Sequence, residues 1–220
     1  MRLILNKLKF HLKNNLARIT ILLMTVFVST AQSAEKKVLI AYFSVPENVA
    51  LNGVDAATGA SVLLKNGNVV GSNQYVAQLI QQQTGGDIYR IEAPFEYPDT
   101  HDPLLEFAQK EKRTNTRPAI KTPLPDLEQY DTVYVGYPIW WYQMPMIMYT
   151  FFEQNNFSGK TIIPFTVHGG SRFSGSIKVI QNLQPNADVV TTGLAISRNR
   201  IDSEQIPSQV SQWLNTFTKQ

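Results

Sequence analysis

The sequence predicts one α/β domain built on a doubly wound five-stranded parallel sheet, strand order 2-1-3-4-5, with a β-hairpin inserted after the first strand. Three observations carry this expectation. Short, continuous apolar runs of the kind buried on both faces of a parallel sheet alternate with helical patterns along the chain. Three of those runs stop abruptly in Ser, Gly-Tyr-Pro or His-Gly-Gly, sequences suited to ligand contact at a strand end. Finally, Asn66-Gly67 stands between two short apolar arms, the pattern of a tight hairpin turn whose central residues need positive φ.

Residues 1–34 stand apart from that domain, which takes up residues 35–220. Arg2, Lys7, Lys9, Lys13 and Arg18 precede an apolar run, Ile19 to Val28, and the small residues Ser29-Thr30-Ala31-Gln32-Ser33-Ala34 follow. Basic segment, short apolar core and small-residue cleavage region together make the layout of a secretory signal peptide. Cleavage after Ala31 or after Ala34 satisfies the pattern; an uncleaved anchor is the alternative, although the apolar run is short for a bilayer. The expected location is secreted or periplasmic, with no stable membrane span once the signal is removed. With no cysteine in the chain, a lipid-modified cysteine anchor and a disulfide framework are both excluded. Cleavage removes five of the 20 basic residues and none of the 17 acidic ones, turning a formal charge of +3 to about −2. The pI near 9.0 therefore belongs to the precursor and is no sign of nucleic-acid binding.

Along the remaining chain, Lys37 to Phe43 reads as a buried strand ending at Ser44. An irregular excursion follows, with the hairpin arms between Ser61 and Val70. A helix then starts at Ser72 or Asn73, either of which can cap it, buries Val76, Leu79 and Ile80, and ends at Gly85-Gly86. Asp87 to Glu92 alternates like an edge strand, and Asp102 to Lys112 is helical with Leu104, Leu105, Phe107 and Ala108 inward. After a proline-rich connection, Asp131 to Gly136 is a strand and Pro145 opens a helix through Gln154. Gly159 to Val167 is a buried strand despite Pro164, an awkward residue for a central position. A short helix from Ile177 to Leu183, a last strand from Asp188 to Leu194 and an amphipathic helix from Ser203 to Phe217 complete the domain.

In the order 2-1-3-4-5 the strands ending at Ser44, Pro138 and His168 are neighbours, so their loops converge on one crevice. Ser44 and the helix start Ser72-Asn73-Gln74 offer hydroxyls, an amide and free backbone N–H groups to a phosphate, with no Lys or Arg among them. The plainer reading of Ser72 or Asn73 is a helix cap. Pro138-Ile139-Trp140-Trp141-Tyr142 offers rigid ring faces to a flat aromatic ligand such as a flavin, or else forms a core or interface cluster. Thr166, His168, Gly169, Gly170 and Ser171 supply backbone donors unobstructed by side chains, with His168 either a ligand contact or a structural histidine. No catalytic acid–base constellation and no metal-ligand cluster stands out.

These residues carry a resemblance. Ala41-Tyr42-Phe43-Ser44, Gly136-Tyr137-Pro138-Ile139-Trp140-Trp141, and Ser158-Gly159-Lys160-Thr161 through His168-Gly169-Gly170-Ser171 resemble the flavodoxin-like family, its short-chain bacterial flavodoxins in particular. The likeness spans residues 37 to 217, and the Tyr-Pro-Ile-Trp-Trp stretch is its most specific part. It implies noncovalent FMN, the phosphate at Ser44 and Ser72-Asn73-Gln74, the ring between the Pro138–Tyr142 and Thr166–Ser171 loops. Two departures stand out. The family's compact phosphate loop is split here by the insertion, with Asn73 where Thr is usual, and Arg172 replaces a small residue after Gly-Gly-Ser.

The expected function is electron transfer by an exported FMN protein, as a carrier to a redox partner protein or as a reductase of a quinone-like acceptor. A reductase drawing hydride from a nicotinamide is a second reading, although no G-x-G-x-x-G turn follows any strand. The alternative from another class is a flavin-fold module that has lost FMN and binds a protein through Trp140-Trp141-Tyr142.

Overall fold

The computed structural model describes residues 37–45, 62–65 and 68–217. The expected signal peptide, the excursion through residues 46–61 and the Asn66-Gly67 turn lie outside the described residues. Among the described residues no helix is long and apolar enough to cross a membrane.

Strands β1 (Lys37–Tyr42), β4 (Asp87–Arg90), β5 (Tyr130–Gly136), β6 (Thr161–His168), β7 (Asp188–Val189) and β8 (Leu194–Ser197) form one sheet in which every pairing is parallel. The order is β4-β1-β5-β6-β7, with β8 also on the outer side of β6. Strands β2 (Val62–Lys65) and β3 (Asn68–Gly71) form a separate antiparallel hairpin. Setting the hairpin aside and taking β7 and β8 as one interrupted strand gives 2-1-3-4-5, the order expected.

Alternation along β1 shows why both faces must be covered. Leu39, Ala41 and Phe43 enter one core with residues of α2 (His101–Arg113), α3 (Met146–Gln154) and α4 (Ser176–Leu183). Ile40 and Tyr42 enter the other with α1 (Ser72–Thr84) and α5 (Ile206–Leu214). The first core is rich in rings, and Phe151, Phe152 and Phe157 are wholly inaccessible. Burial of each such side chain favours the fold by about 1.5–3 kcal/mol.

Three expectations change in detail. Helix α1 is not capped by Ser72 or Asn73: its N-cap is Gly71, whose N–H donates to Gln74 Oε1 at 2.9 Å, and Ser72 is the first helical residue. Pro145 is the N-cap of α3 rather than its first residue. The last strand is not continuous from Asp188 to Leu194, and it runs on to Ser197. Strand β7 pairs with Thr161 and Ile162, β8 with Phe165 to His168, and the break faces Pro164, which has no N–H to offer a neighbour. Gly193 lies in that break with the Pro164 carbonyl only 2.5 Å from where a Cβ would sit.

Candidate functional site

Strands β1, β5 and β6 end together at the same side of the sheet. Tyr42 is in register with Gly136 and Gly136 with Phe165. Beyond the regular ladder, the Phe43 N–H donates to the Gly136 carbonyl at 2.9 Å and the Tyr137 N–H to the Phe165 carbonyl at 3.2 Å. Two side chains tie the loops further. Thr166 Oγ1 donates to the Tyr137 carbonyl at 2.6 Å, and Asn73 Oδ1 accepts from the Val167 N–H at 3.0 Å. The ends of β1, β5 and β6 and the start of α1 therefore meet at one end of the sheet, a crevice position in this topology, where the sheet order reverses around β1 and β5.

Sequence position offered Ser44, Ser72, Asn73 and Gln74 together to a phosphate, and the structure divides them. Ser44 and Ser72 are 3% and 0% exposed, and neither hydroxyl has a hydrogen-bond partner among the described residues. An unpartnered buried hydroxyl costs about 1–3 kcal/mol, so two at the crevice ask for a ligand. Helix α1 adds its first-turn N–H groups and the positive end of its dipole. Asn73 and Gln74, in contrast, have their carbonyl oxygens committed to Val167 and Gly71. They hold in place the helix start beside which Ser44 and Ser72 lie.

The aromatic loop divides in the same way. Pro138 is buried and Ile139 half-buried against the core. Trp140 is 8% exposed, its ring edge-on to Phe43 and Tyr97 at 5.4 and 5.6 Å, so it belongs to the core cluster. Trp140 and Gln143 exchange both backbone hydrogen bonds, at 2.9 and 3.1 Å, across a two-residue turn in which Trp141 and Tyr142 have φ of +50° and +63°. That is the backbone of a tight mirror-image turn, normally made by Asn and Gly. Non-glycine residues hold it under strain, here secured by Trp141 Nε1 donating to the Leu105 carbonyl at 2.8 Å and Lys112 Nζ donating to the Trp141 carbonyl at 2.7 Å. Tyr142 is left 75% exposed at the turn's tip, the ring this loop displays.

In the β6–α4 loop, His168 is 8% exposed and its Nδ1 accepts from the Gly170 N–H at 3.0 Å. Its proton is therefore on Nε2. Burial, and then the Arg172 charge, push its pKa down and keep the ring neutral. With Gly170's N–H committed to His168, Gly169 and Ser171 remain the backbone donors of this loop.

Sequence reasoning missed Glu111. Its carboxyl is 5% exposed, Oε2 lacks a partner among the described residues, and the Tyr97 hydroxyl reaches Oε1 only at 3.5 Å. Burial pushes its pKa up to about 7, against a smaller lowering by Tyr97. Tyr97 packs on both Phe43 and Trp140, so this carboxyl stands behind the ring wall supporting two of the loops. The only sequence signal was an acid at a position on α2 that shares a face with Leu104 and Ala108.

Fold and crevice together define a doubly wound α/β protein whose switch point is equipped for an anion and a flat ring. The chain belongs to the flavodoxin family, whose sequence model, described as Flavodoxin, matches residues 61–216. Among solved structures, a candidate flavoprotein from Bacteroides eggerthii is 26% identical with a TM-score of 0.58, covering 84% of this chain and 100% of its own. A second from Bacteroides uniformis is 29% identical with a TM-score of 0.58, over 82% and 98% of the two chains. A flavoprotein from Lactobacillus acidophilus, solved in complex with FMN, shares the fold at 16% identity and a TM-score of 0.52, over 76% and 97%. Comparison with curated proteins finds no match.

Proposed function

We propose that this chain is an exported FMN-dependent redox protein, passing electrons to a partner protein or reducing a quinone-type acceptor. The observation that carries the cofactor is the pair of buried hydroxyls, Ser44 and Ser72, unpartnered among the described residues at a β1 end and a helix N-terminus. Family membership and the FMN complex of the Lactobacillus acidophilus protein agree with it.

Bound FMN would supply one- and two-electron chemistry at its ring. The chain's part is to hold and tune it. Ser44, Ser72 and the first-turn N–H groups of α1 would take the phosphate, and the Tyr142 face the ring. Backbone N–H groups at Gly169 and Ser171 would address the ring edge. Neutral His168 carries a proton on Nε2 and can donate there without adding charge. Export rests on the secretory layout of residues 1–34, and N-terminal sequencing of the mature protein tests it.

Titrating the purified protein with FMN and with riboflavin, following fluorescence quenching, tests the cofactor. Tight FMN binding with riboflavin at least about tenfold weaker is the expected result, since only FMN reaches the charged hydrogen bonds at the phosphate end. No quenching by either would instead favour the module that has lost its flavin, whose contact surface would be the exposed rings of Phe95, Trp141 and Tyr142.

A further inference from the structure

We propose that the outer rim of the crevice, formed by Arg172 of the β6–α4 loop and Arg198 just after β8, selects an anionic electron acceptor. The inference rests on the redox reading above and goes beyond it by naming the charge of the substrate. Strand register sets the geometry: His168 pairs with Ser197, so the next residues, Gly169 and Arg198, lie side by side. A Cβ at Gly169 would stand 3.5 Å from Arg198 Nη1, 3.6 Å from Cζ and 3.7 Å from Nε. Near-equal distances to three atoms of one planar group mean that the guanidinium turns its face to the glycine, leaving its N–H fork along the rim. A Cβ at position 169 would meet that face at ordinary van der Waals distance.

Arg172 adds a second charge from the same loop, exposed, on a backbone with φ of +50° and close enough to His168 for its charge to act on that ring. Neither guanidinium is ion-paired with a described residue. Arg117 shows what a structural arginine looks like in this protein: its fork grips both Glu153 oxygens at 2.7 and 2.9 Å.

The two segments that carry these arginines hold few acids. Between Glu153 and Asp188 the sequence holds no Asp or Glu, and none again until Asp202. Asp188 pairs with Thr161 at the opposite end of β6, while Asp202 and Glu204 lie on the turn into α5. A local cationic edge on a chain otherwise near charge balance raises the local concentration of an anion beside the reacting ring. Planar guanidinium forks suit carboxylate, sulfonate or phosphate oxygens. In the transfer itself the acceptor's quinone would gain two electrons and two protons and become a hydroquinone, while the FMN hydroquinone that supplied them would return to oxidised FMN. The anionic substituent stays ionised and serves only to hold the molecule.

The test uses FMN-loaded protein, photoreduced without oxygen and mixed in a stopped-flow instrument with 1,4-naphthoquinone-2-sulfonate or with uncharged 1,4-naphthoquinone. The quantity read is the ratio of the two reoxidation rates in each variant divided by that in wild type, which cancels the quinones' intrinsic reactivity. Arg172→Gln/Arg198→Gln is expected to lower the ratio about tenfold, 0.5 M NaCl to lower it similarly in wild type, and the double Lys variant to keep most of it. A binding readout accompanies it: the sulfonate should shift the amide resonances of Gly169 and Ser171 in oxidised protein, and fail to in the Gln pair. A ratio within twofold of wild type in the Gln pair, or shifts that survive there, overturns the proposal. Failure to retain stoichiometric FMN at loading, seen before any quinone is added, overturns the cofactor reading instead and this inference with it.

Discussion

Ser72 shows how much one hydroxyl decides. A serine at the start of a helix reads as a cap, yet Gly71 occupies that position and the Ser72 hydroxyl is left buried without a described partner. Ser72→Ala should therefore weaken FMN binding by about tenfold or more, the worth of a hydrogen bond to a charged group, while thermal stability stays level or rises. Fluorescence titration and a melting curve check both; a cap would give the reverse, a loss of stability with affinity intact. Riboflavin affinity should not change, since it lacks the phosphate.

At the scale of elements, the ends of β5 and the turn beyond it set the crevice. Gly136 closes β5 because the Phe165 ring lies 2.1 Å from any Cβ placed there. Gly136→Ala should cost roughly 1–3 kcal/mol, the range for overpacking a full core, seen as a lowered midpoint in denaturant. The Trp141-Tyr142 turn makes the opposite case. Tyr142→Gly relieves a left-handed residue of about 1–2 kcal/mol, so the fold should gain stability while FMN binding weakens through loss of the exposed ring. If stability and affinity both fell, Tyr142 would be packing against the chain rather than serving a ligand.

For the whole molecule, two buried groups make stability depend on pH in opposite senses. His168 has a folded pKa below its unfolded 6.5, so the unfolded state binds more protons between those values and stability rises with pH across that window, reaching its full value above 6.5. Glu111 has a folded pKa raised from 4.5 to about 7, so the folded state binds more protons there and stability falls as pH climbs through that range. Glu111→Gln should leave a melting temperature that rises with pH up to about 6.5 and then levels. His168→Asn should leave one that falls until about pH 7 and then levels. Parallel curves for both variants and wild type would show that neither carboxyl nor imidazole is held as described.

Much of this was legible in the residues. Buried strands with continuous apolar sequence, the Val76, Leu79 and Ile80 stripe and the meeting of three strand ends all follow from periodicity and the handedness of parallel crossovers, which are local or topological rules. Burial across the sheet is another matter, because it depends on which neighbour arrives from far along the chain. Trp140 packs edge-on against Phe43 and Tyr97, Glu111 sinks behind Tyr97, and Arg198 comes to lie over Gly169.

By itself, the sequence determined the kind of sheet, its strand order and which strand ends meet on one side of it, since those depend on patterns a few residues long. Only the tertiary structure decided which candidate groups remain available there. A side chain's hydrogen bonds and exposure are settled by contacts between distant segments, and Asn73 reaching Val167 while Ser72 reaches no described partner is that decision made twice at adjacent positions.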